Sequence, residues 1–468
     1  MAGKWIDAGK GLALVSGMVA ASIGAPAAWG KDGDAAAWTL QQAIGDPDNL
    51  KVSGSVRIRY EALDNQFRPG LKDSDSIVLL RTSLTAEYDT GPVRVGAEVM
   101  DSRVYSAGPG SSIGTGEVNA VELIQAYVGF DLGKALGSKS ETTLDVGRFT
   151  MDVGSRRLVA RNNFRNTTNA FFGFKAQYNG SGGTYGTAFY TLPLMRLPDD
   201  KASLLDNKVE RDRQNFDLTF WGVSLGKPVH DGSTVEVYFY GLDENDSPDV
   251  ATRNRTLYTP GLRLHRKPKR GKFDYEFEGA YQFGHIRASK AASAAKLDVS
   301  AYFVHATVGY QFAMPGSPRI AFEYDRASGD GSNGSFGRFD TLYGARRTDF
   351  GPTSIYGPLS RANISSAGVR LEVTPEKRWD GLVMYRAAWL ESATDSFANT
   401  GVRDPSGASG SFAGHQVEAR ARYWIVPKLL RVDTGAAVLL TSGFLDRAPG
   451  ANRNGNPLYG YFDLIATF

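Results

Sequence analysis

The sequence predicts an all-β fold: a transmembrane antiparallel β-barrel of about 18 strands, with long extracellular loops and short periplasmic turns. Three observations predict it. From residue 51 onward apolar side chains recur at every second position, long polar segments alternate with tight turns, and the last apolar-alternating run ends the chain on an aromatic residue, Phe468.

Composition bounds the function first. The 468 residues carry 53 Lys and Arg against 50 Asp and Glu, a net charge of +3, too small a surplus for a duplex-DNA binder, so no nucleic-acid partner is expected. The 54 Gly, 21 Tyr and 25 Phe favour many turns and aromatic, two-faced strands. With no Cys, disulfide scaffolds, Cys-ligated zinc, iron–sulfur clusters and thiol catalysis are excluded.

Residues 1–30 read as a signal peptide: Lys4 and Lys10, then a small and apolar run over 11–24, then Ala25-Pro26-Ala27 as an A-x-A cleavage pattern. Residues 31–50 are expected to form a periplasmic N-terminal segment containing a short helix, and 51–468 the outer-membrane barrel. Nowhere else does the chain approach the ~20 apolar residues of a spanning helix.

The strands follow in order. In 51–63, Val52, Val56, Ile58 and Tyr60 share one face and Ser53, Ser55, Arg57, Arg59 and Glu61 the other. The run 76–89 repeats this, with Val78, Leu80, Leu84, Ala86 and Tyr88 opposing Arg81, Ser83, Thr85 and Glu87. Similar segments begin near residues 92, 120, 141, 170, 183, 216, 233, 256, 271, 297, 317, 363, 378, 414, 429 and 457. Most are long enough to cross a bilayer at a tilt. Odd-numbered strands are followed by long Gly-rich segments (64–75, 105–119, 150–169, 193–215, 244–255, 287–296, 327–362, 392–413 and 442–456), even-numbered ones by turns such as Thr90-Gly91 and Pro427-Lys428. Apolar faces ending in Tyr60, Tyr88, Phe130, Tyr178, Tyr310 and Trp389 suit the water–lipid boundary. A barrel this wide encloses an aqueous channel.

A charge facing lipid at midplane costs ~2–4 kcal/mol, so alternation assigns the polar face to the lumen. That face carries Arg57, Arg59, Arg81, Arg94, Lys175, Arg263, Arg370, Arg386, Arg420, Arg422 and Arg431, mixed with acids such as Glu61, Glu98, Glu276, Glu323, Asp325 and Asp463. Inward Arg and Glu on neighbouring strands can simply pair and stiffen the wall, the expectation for Arg57, Arg59, Arg370 and Arg420. Unpaired Arg at a narrowing would instead attract anions; Arg81 and Arg94 are kept as pore candidates.

Two loop clusters stand above this background. Residues 150–169 hold Arg156, Arg157, Arg161 and Arg165 against one acid, Asp152, directly after Gly147-Arg148, in a loop long enough to constrict the mouth. Arg148 shares a register with Leu144 and Val146, which would aim it at lipid unless a bulge re-aims it. Residues 339–361 combine Arg346, Arg347 and Arg361 with Tyr343, Phe350 and Tyr356, a mixture suited to sugar faces and carboxylates. The alternative for both is a basic rim touching lipopolysaccharide phosphates, so lipid and lipopolysaccharide are expected partners either way.

Signals for catalysis are poor. None of the five His forms H-E-x-x-H, no G-x-S-x-G elbow is present, and the acidic run 243–249 lacks EF-hand spacing; no cofactor or metal is expected. His305 faces the lumen by alternation.

At 147–174 (GRFTMDVGSRRLVARNNFRNTTNAFFGF) and 339–369 (FDTLYGARRTDFGPTSIYGPLSRANISSAGV) the sequence resembles the alginate export family of bacterial outer-membrane β-barrels. The resemblance implies an eighteen-stranded barrel in the outer membrane of a Gram-negative bacterium, passing an anionic uronate polymer through an Arg-rich constriction without energy input. It favours Arg148, Arg156, Arg157, Arg161, Arg346, Arg347 and Arg361 as pore residues, and it admits a periplasmic secretion scaffold as a partner. The short turns here do not match the long periplasmic plug of members that secrete alginate. The functional expectation is a passive, anion-preferring channel for an acidic polysaccharide such as alginate or its oligosaccharides, with a general or small-organic-anion porin as the alternative and an outer-membrane enzyme as a third.

Overall fold

The computed structural model describes residues 39–331 and 334–468. The signal peptide expected at 1–30 and the first eight residues of the expected periplasmic segment, 31–38, lie outside the described residues. The described end of that segment forms a helix at Leu40–Ala43, capped by the Thr39 hydroxyl, which accepts from the Gln42 N–H at 3.2 Å. Gln41 ties this helix to the first strand, accepting from Val52 N at 2.8 Å and donating to the Leu50 carbonyl at 2.9 Å.

Eighteen strands form one antiparallel sheet in which sequence neighbours pair and the last strand returns to the first. β1 (Leu50–Asp64) pairs with β18 (Leu458–Thr467) from Ser55↔Thr467 to Asp64↔Leu458, so the sheet has no free edge. Phe468 completes the closure by exchanging backbone hydrogen bonds with Gly54 at 2.7 and 2.9 Å. A side chain at Gly54 would sit 2.5 Å from the Phe468 ring, so the terminal aromatic needs a glycine opposite.

All the predicted strands are present, with starts displaced by no more than about two residues and most of them by one. β5 (Glu141–Phe149) and β9 (Ser233–Glu244) begin where the alternation places them. β11 (Lys272–Arg287) shows why the pattern is legible: Phe273, Phe277, Tyr281 and Phe283 are exposed on the outer face, while Asp274, Glu278 and Gln282 are buried on the inner one. Bilayer hydrocarbon requires the first set and water the second.

The rule that the inner face is polar fails near the long loops. Phe149, Phe171, Phe189, Phe220, Tyr240 and Leu242 point inward from β5 to β9 and are buried. They pack against Met151, Val153, Leu158 and Val159 of the loop after β5, which has folded into the barrel. A loop that brings apolar side chains inside needs an apolar wall to receive them, so these strands carry apolar residues on both faces at that end.

Placing a charge on the outer face should damage the barrel without touching the lumen. Phe277→Lys is expected to cost about 2–4 kcal/mol, read as a lower temperature at which the fast-migrating, unboiled gel band is lost.

Candidate functional site

The loop at residues 150–170 runs into the barrel and meets the longest loop, residues 328–363. Val159 bridges Tyr343 in parallel. Tyr343 N–H donates to the Leu158 carbonyl at 3.0 Å, Ala160 N–H to the Tyr343 carbonyl at 3.1 Å, and Ala345 N–H to the Arg156 carbonyl at 2.9 Å. Gly344 lies so close to this partner that a Cβ would fall 1.7 Å from the Arg157 carbonyl oxygen.

Buried charges fasten this pair of loops to the wall. Asp349, on the one-turn helix Arg347–Phe350, accepts from Arg157 at 3.0 and 3.1 Å and from Arg361. Arg157 also reaches Glu276 and, at 2.7 Å, Glu278 of β11. Arg361, only 1% exposed, donates to the carbonyls of Arg157 at 3.1 Å and Ala345 at 2.8 Å. Burial by itself would raise the Asp349 carboxyl; the Arg157 and Arg361 guanidiniums overcome it and hold the group well below the usual carboxylate range.

Arg386 of β15 (Trp379–Trp389) links the same cluster to Glu323 at 3.0 Å and Asp325 at 3.1 Å on β13 (Arg319–Ala327). His305 of β12 (Lys296–Gln311) sits between Asp325 at 2.7 Å and Thr307 at 2.9 Å. Among the described residues, His305, Asp325 and Asp349 bring donor atoms close enough for a metal. Three guanidiniums already occupy those carboxylates, and their charge would repel a cation, so the trio serves as an anchor.

The opposite wall is built differently. Arg57 donates to the carbonyls of Asn163, Phe164 and Arg165 at 3.2, 3.1 and 2.9 Å, and Arg81, on β2 (Asp75–Asp89), to those of Asn163 and Arg165 at 3.1 Å each. Neither forms an ion pair among the described residues, so Arg57 departs from the acid pairing expected of it; the inserted loop supplies its acceptors instead. Arg59, by contrast, is held by Asp463 and Glu61, and Arg370 and Arg420 by Glu323 and Asp380. Phe164 projects from the loop between two cations, its ring centre 4.1 Å from Arg59 and 4.9 Å from Arg347.

Beside this wall, four arginines from four loops gather around one acid. Arg165 and Arg196 share a single acceptor, Asn169 Oδ1, at 2.6 and 2.9 Å. Arg196 also donates to the Thr115 carbonyl at 2.9 Å, and Arg68 to the carbonyls of Ile355 at 3.0 Å, Tyr356 and Gly357 at 3.2 Å. The Arg346 side chain makes no hydrogen bond or ion pair among the described residues, and none of the other three forms an ion pair. All four are half-buried. Burial, then Arg196, presses Arg165 well below the ordinary arginine value; burial, then a neighbouring arginine, pushes Arg68 and Arg346 down to about 10. Glu117, the acid they surround, accepts from Gly114 N–H at 2.9 Å, and burial raises its pKa.

The sequence candidates thus separate. Arg157, Arg161, Arg347 and Arg361 are tied to Asp349, Glu98, Glu418 and Asp349 in turn, and Arg94 to Asp145 at 3.1 Å. Arg148 keeps its register opposite Ala126 and the outward Phe172, while its guanidinium turns to Glu122 at 2.6 Å, the Leu123 carbonyl at 2.7 Å and Gln214 at 3.0 Å. Arg156 is exposed and its side chain has no partner among the described residues. Phe350 and Tyr356 are buried, and Tyr343 packs on Phe171 and Phe220, so these rings fill the core and present no face to a sugar. Arg68, Arg196 and Glu117 were not anticipated; each is a single charge in a loop of mixed composition, and only the fold brings them together.

Two cavities flank the loop layer. One of about 530 Å³ lies toward the short turns and includes Arg157, Arg263, Arg319 and Arg370 in its wall; one of about 520 Å³ lies toward the long loops, against Arg253, Arg338 and Phe336.

Residues 48–457 match the family described as Alginate export. The chain belongs to the alginate export family. Solved structures with a similar fold include OccK8 (OprE) of Pseudomonas aeruginosa, at 13% identity and a TM-score of 0.58 over 90% of this chain and 98% of that one. A BenF-like porin from Pseudomonas fluorescens Pf-5 gives 12% and 0.56 over 90% and 98%, and P. aeruginosa OccK2 (OpdF) in complex with glucuronate gives 13% and 0.55 over 89% and 98%. No curated protein sequence matches it. This alginate export family member is therefore an outer-membrane channel of a Gram-negative bacterium, and family and fold point to a channel rather than an enzyme.

Removing the central carboxylate should release the loops. Asp349→Ala leaves Arg157 and Arg361 buried without their shared partner, a loss of about 3–5 kcal/mol. Limited proteolysis should then cut within residues 328–363 while the strands stay protected, and Asp349→Asn should be cut more slowly.

Proposed function

We propose that this channel is passive and anion-preferring, and that its solute is an acidic polysaccharide of the alginate type or its oligosaccharides. The observation that carries the reading is the cluster of Arg68, Arg165, Arg196 and Arg346 around Glu117, water-accessible and without ion pairs among the described residues. Guanidiniums that meet only carbonyls and amides, as at Arg68, Arg165 and Arg196, keep their charge unneutralised, and Arg346, with no acceptor among the described residues, offers its planar fork to a carboxylate. Arg57 and Arg81 add to the same field. Elsewhere on the lumen wall arginines and acids already pair with one another, which leaves weak contacts for a polyanion and therefore favours passage over retention. The same fold in OccK2 has been solved with glucuronate, a single uronate unit, which supports the assignment of solute class.

A small-organic-anion porin is the second reading. It is favoured by the apolar core that the inserted loops build inside the barrel, since this narrows the space left for a polymer. The two readings differ in length dependence: on the first, block by uronates strengthens from monomer to long oligomer; on the second, it is lost once the chain outgrows the constriction.

The test is the reversal potential in a salt gradient across a planar bilayer. Wild-type protein should favour anions, and Arg165→Gln with Arg346→Gln should reduce that preference several-fold. Arg103→Gln, paired with Asp101 on the outer face, should leave it unchanged. Cation preference in the wild type would overturn the proposal.

A further inference from the structure

We propose that the periplasmic rim over β10 (Thr256–Arg266) to β17 (Leu430–Thr441) is a capture surface for an anionic polysaccharide, feeding it into the cavity beneath the loop layer. The inference rests on the channel reading above and adds the end at which the solute is first engaged.

The turns between strands carry nearly one sign of charge. Residues 267–271 contain Lys267, Lys269 and Arg270, residues 377–378 are Lys377 and Arg378, and residues 427–429 contain Lys428; all six are exposed. Lys134 and Lys139 add two more in residues 134–140, and the single acid in any of these turns is Asp231, already paired with Arg266 at 2.7 Å. None of the eight forms an ion pair among the described residues. The long loops differ: residues 194–217, for example, mix Arg196, Lys201 and Arg211 with Asp199, Asp206 and Glu210.

Position gives this collar a partner. Lys267 and Pro268 belong both to the turn and to the wall of the 530 Å³ cavity, which extends to Arg157 and Asp349 at the loop layer. Inside that cavity the acids are already matched: Asp274 and Glu372 to Arg319, Glu276 to Arg157 and Arg263, and Glu323 to Arg370. A polyanion drawn to Lys267, Lys269 and Arg270 therefore enters a lumen whose carboxylates are neutralised. Cations serving only lipid headgroups would have no need to open into the lumen. A clustered charge of this kind raises the association rate of an opposite charge by about tenfold or more and acts less as salt increases.

The experiment measures block of single channels by alginate oligomers added to one chamber at a time. Because the chain has no Cys, Ser181→Cys, in a turn away from the cationic arc, can be biotinylated so that streptavidin reports which chamber faces the turns. The association rate should be higher from the turn side at low salt, fall about tenfold in Lys267→Gln/Lys269→Gln/Arg270→Gln, and converge on the loop-side rate at high salt. The variant's unboiled gel mobility should match the wild type. Equal rates from both sides, or no change in the variant, would overturn the capture surface and leave the channel assignment standing, whereas absence of block from either side would remove both. If the variant alters the rate only in bilayers containing phosphatidylglycerol, the collar's partner is the headgroup and the proposal fails.

Discussion

Asp349 lies between Arg157 and Arg361 in the middle of the barrel, and burial makes that contact indispensable. A buried guanidinium without its carboxylate is far costlier than either group in water, so the loops at 150–170 and 328–363 are held inside as long as the triple contact is intact. Through Glu276 and Glu278 on one side and Arg386 on the other, the same contact reaches the strands. The acceptors of Arg57 and Arg81 are supplied by the loop at 150–170 and depend on its being in place.

Once seated, the loops divide the charge inside the barrel. Along β10 to β16 (Phe412–Val426) the wall arginines meet acids: Arg263, Arg319, Arg370, Arg386 and Arg420 are all paired. On the β1 and β2 side the inserted backbone displaces carboxylates as acceptors, and Arg57 and Arg81 bind carbonyls. A carbonyl satisfies the donors of a guanidinium without cancelling its charge. The same substitution of neutral for charged acceptors recurs at Arg68, Arg165 and Arg196, so the lack of ion pairs in this cluster is a consequence of how the loops pack.

The strands were legible because the bilayer and the lumen impose opposite demands on alternate residues of each, as Phe277 and Glu278 show. Where a third environment intervenes, the pattern loses its meaning: Phe149 and Phe220 are as apolar as the residues that face lipid elsewhere, yet they point inward and receive a loop. The candidate site was legible only in part. Runs such as Arg156-Arg157 announce a charged loop, but one of the pair is exposed and the other is locked to Asp349. Arg165 was within the marked cluster, whereas Arg68 and Arg196 stand in separate loops with nothing nearby to single them out.

By itself the sequence determined the barrel, its strand order, the side on which long loops lie and the cationic turns, because each follows from local period, turn composition and charge along the chain. Which arginines keep an uncompensated charge was decided by the tertiary structure alone. Neutralisation requires a carboxylate within about 4 Å, and partners such as Arg59 and Asp463, or Arg157 and Asp349, are brought to that distance by closure of the sheet and by the descent of two loops into its interior.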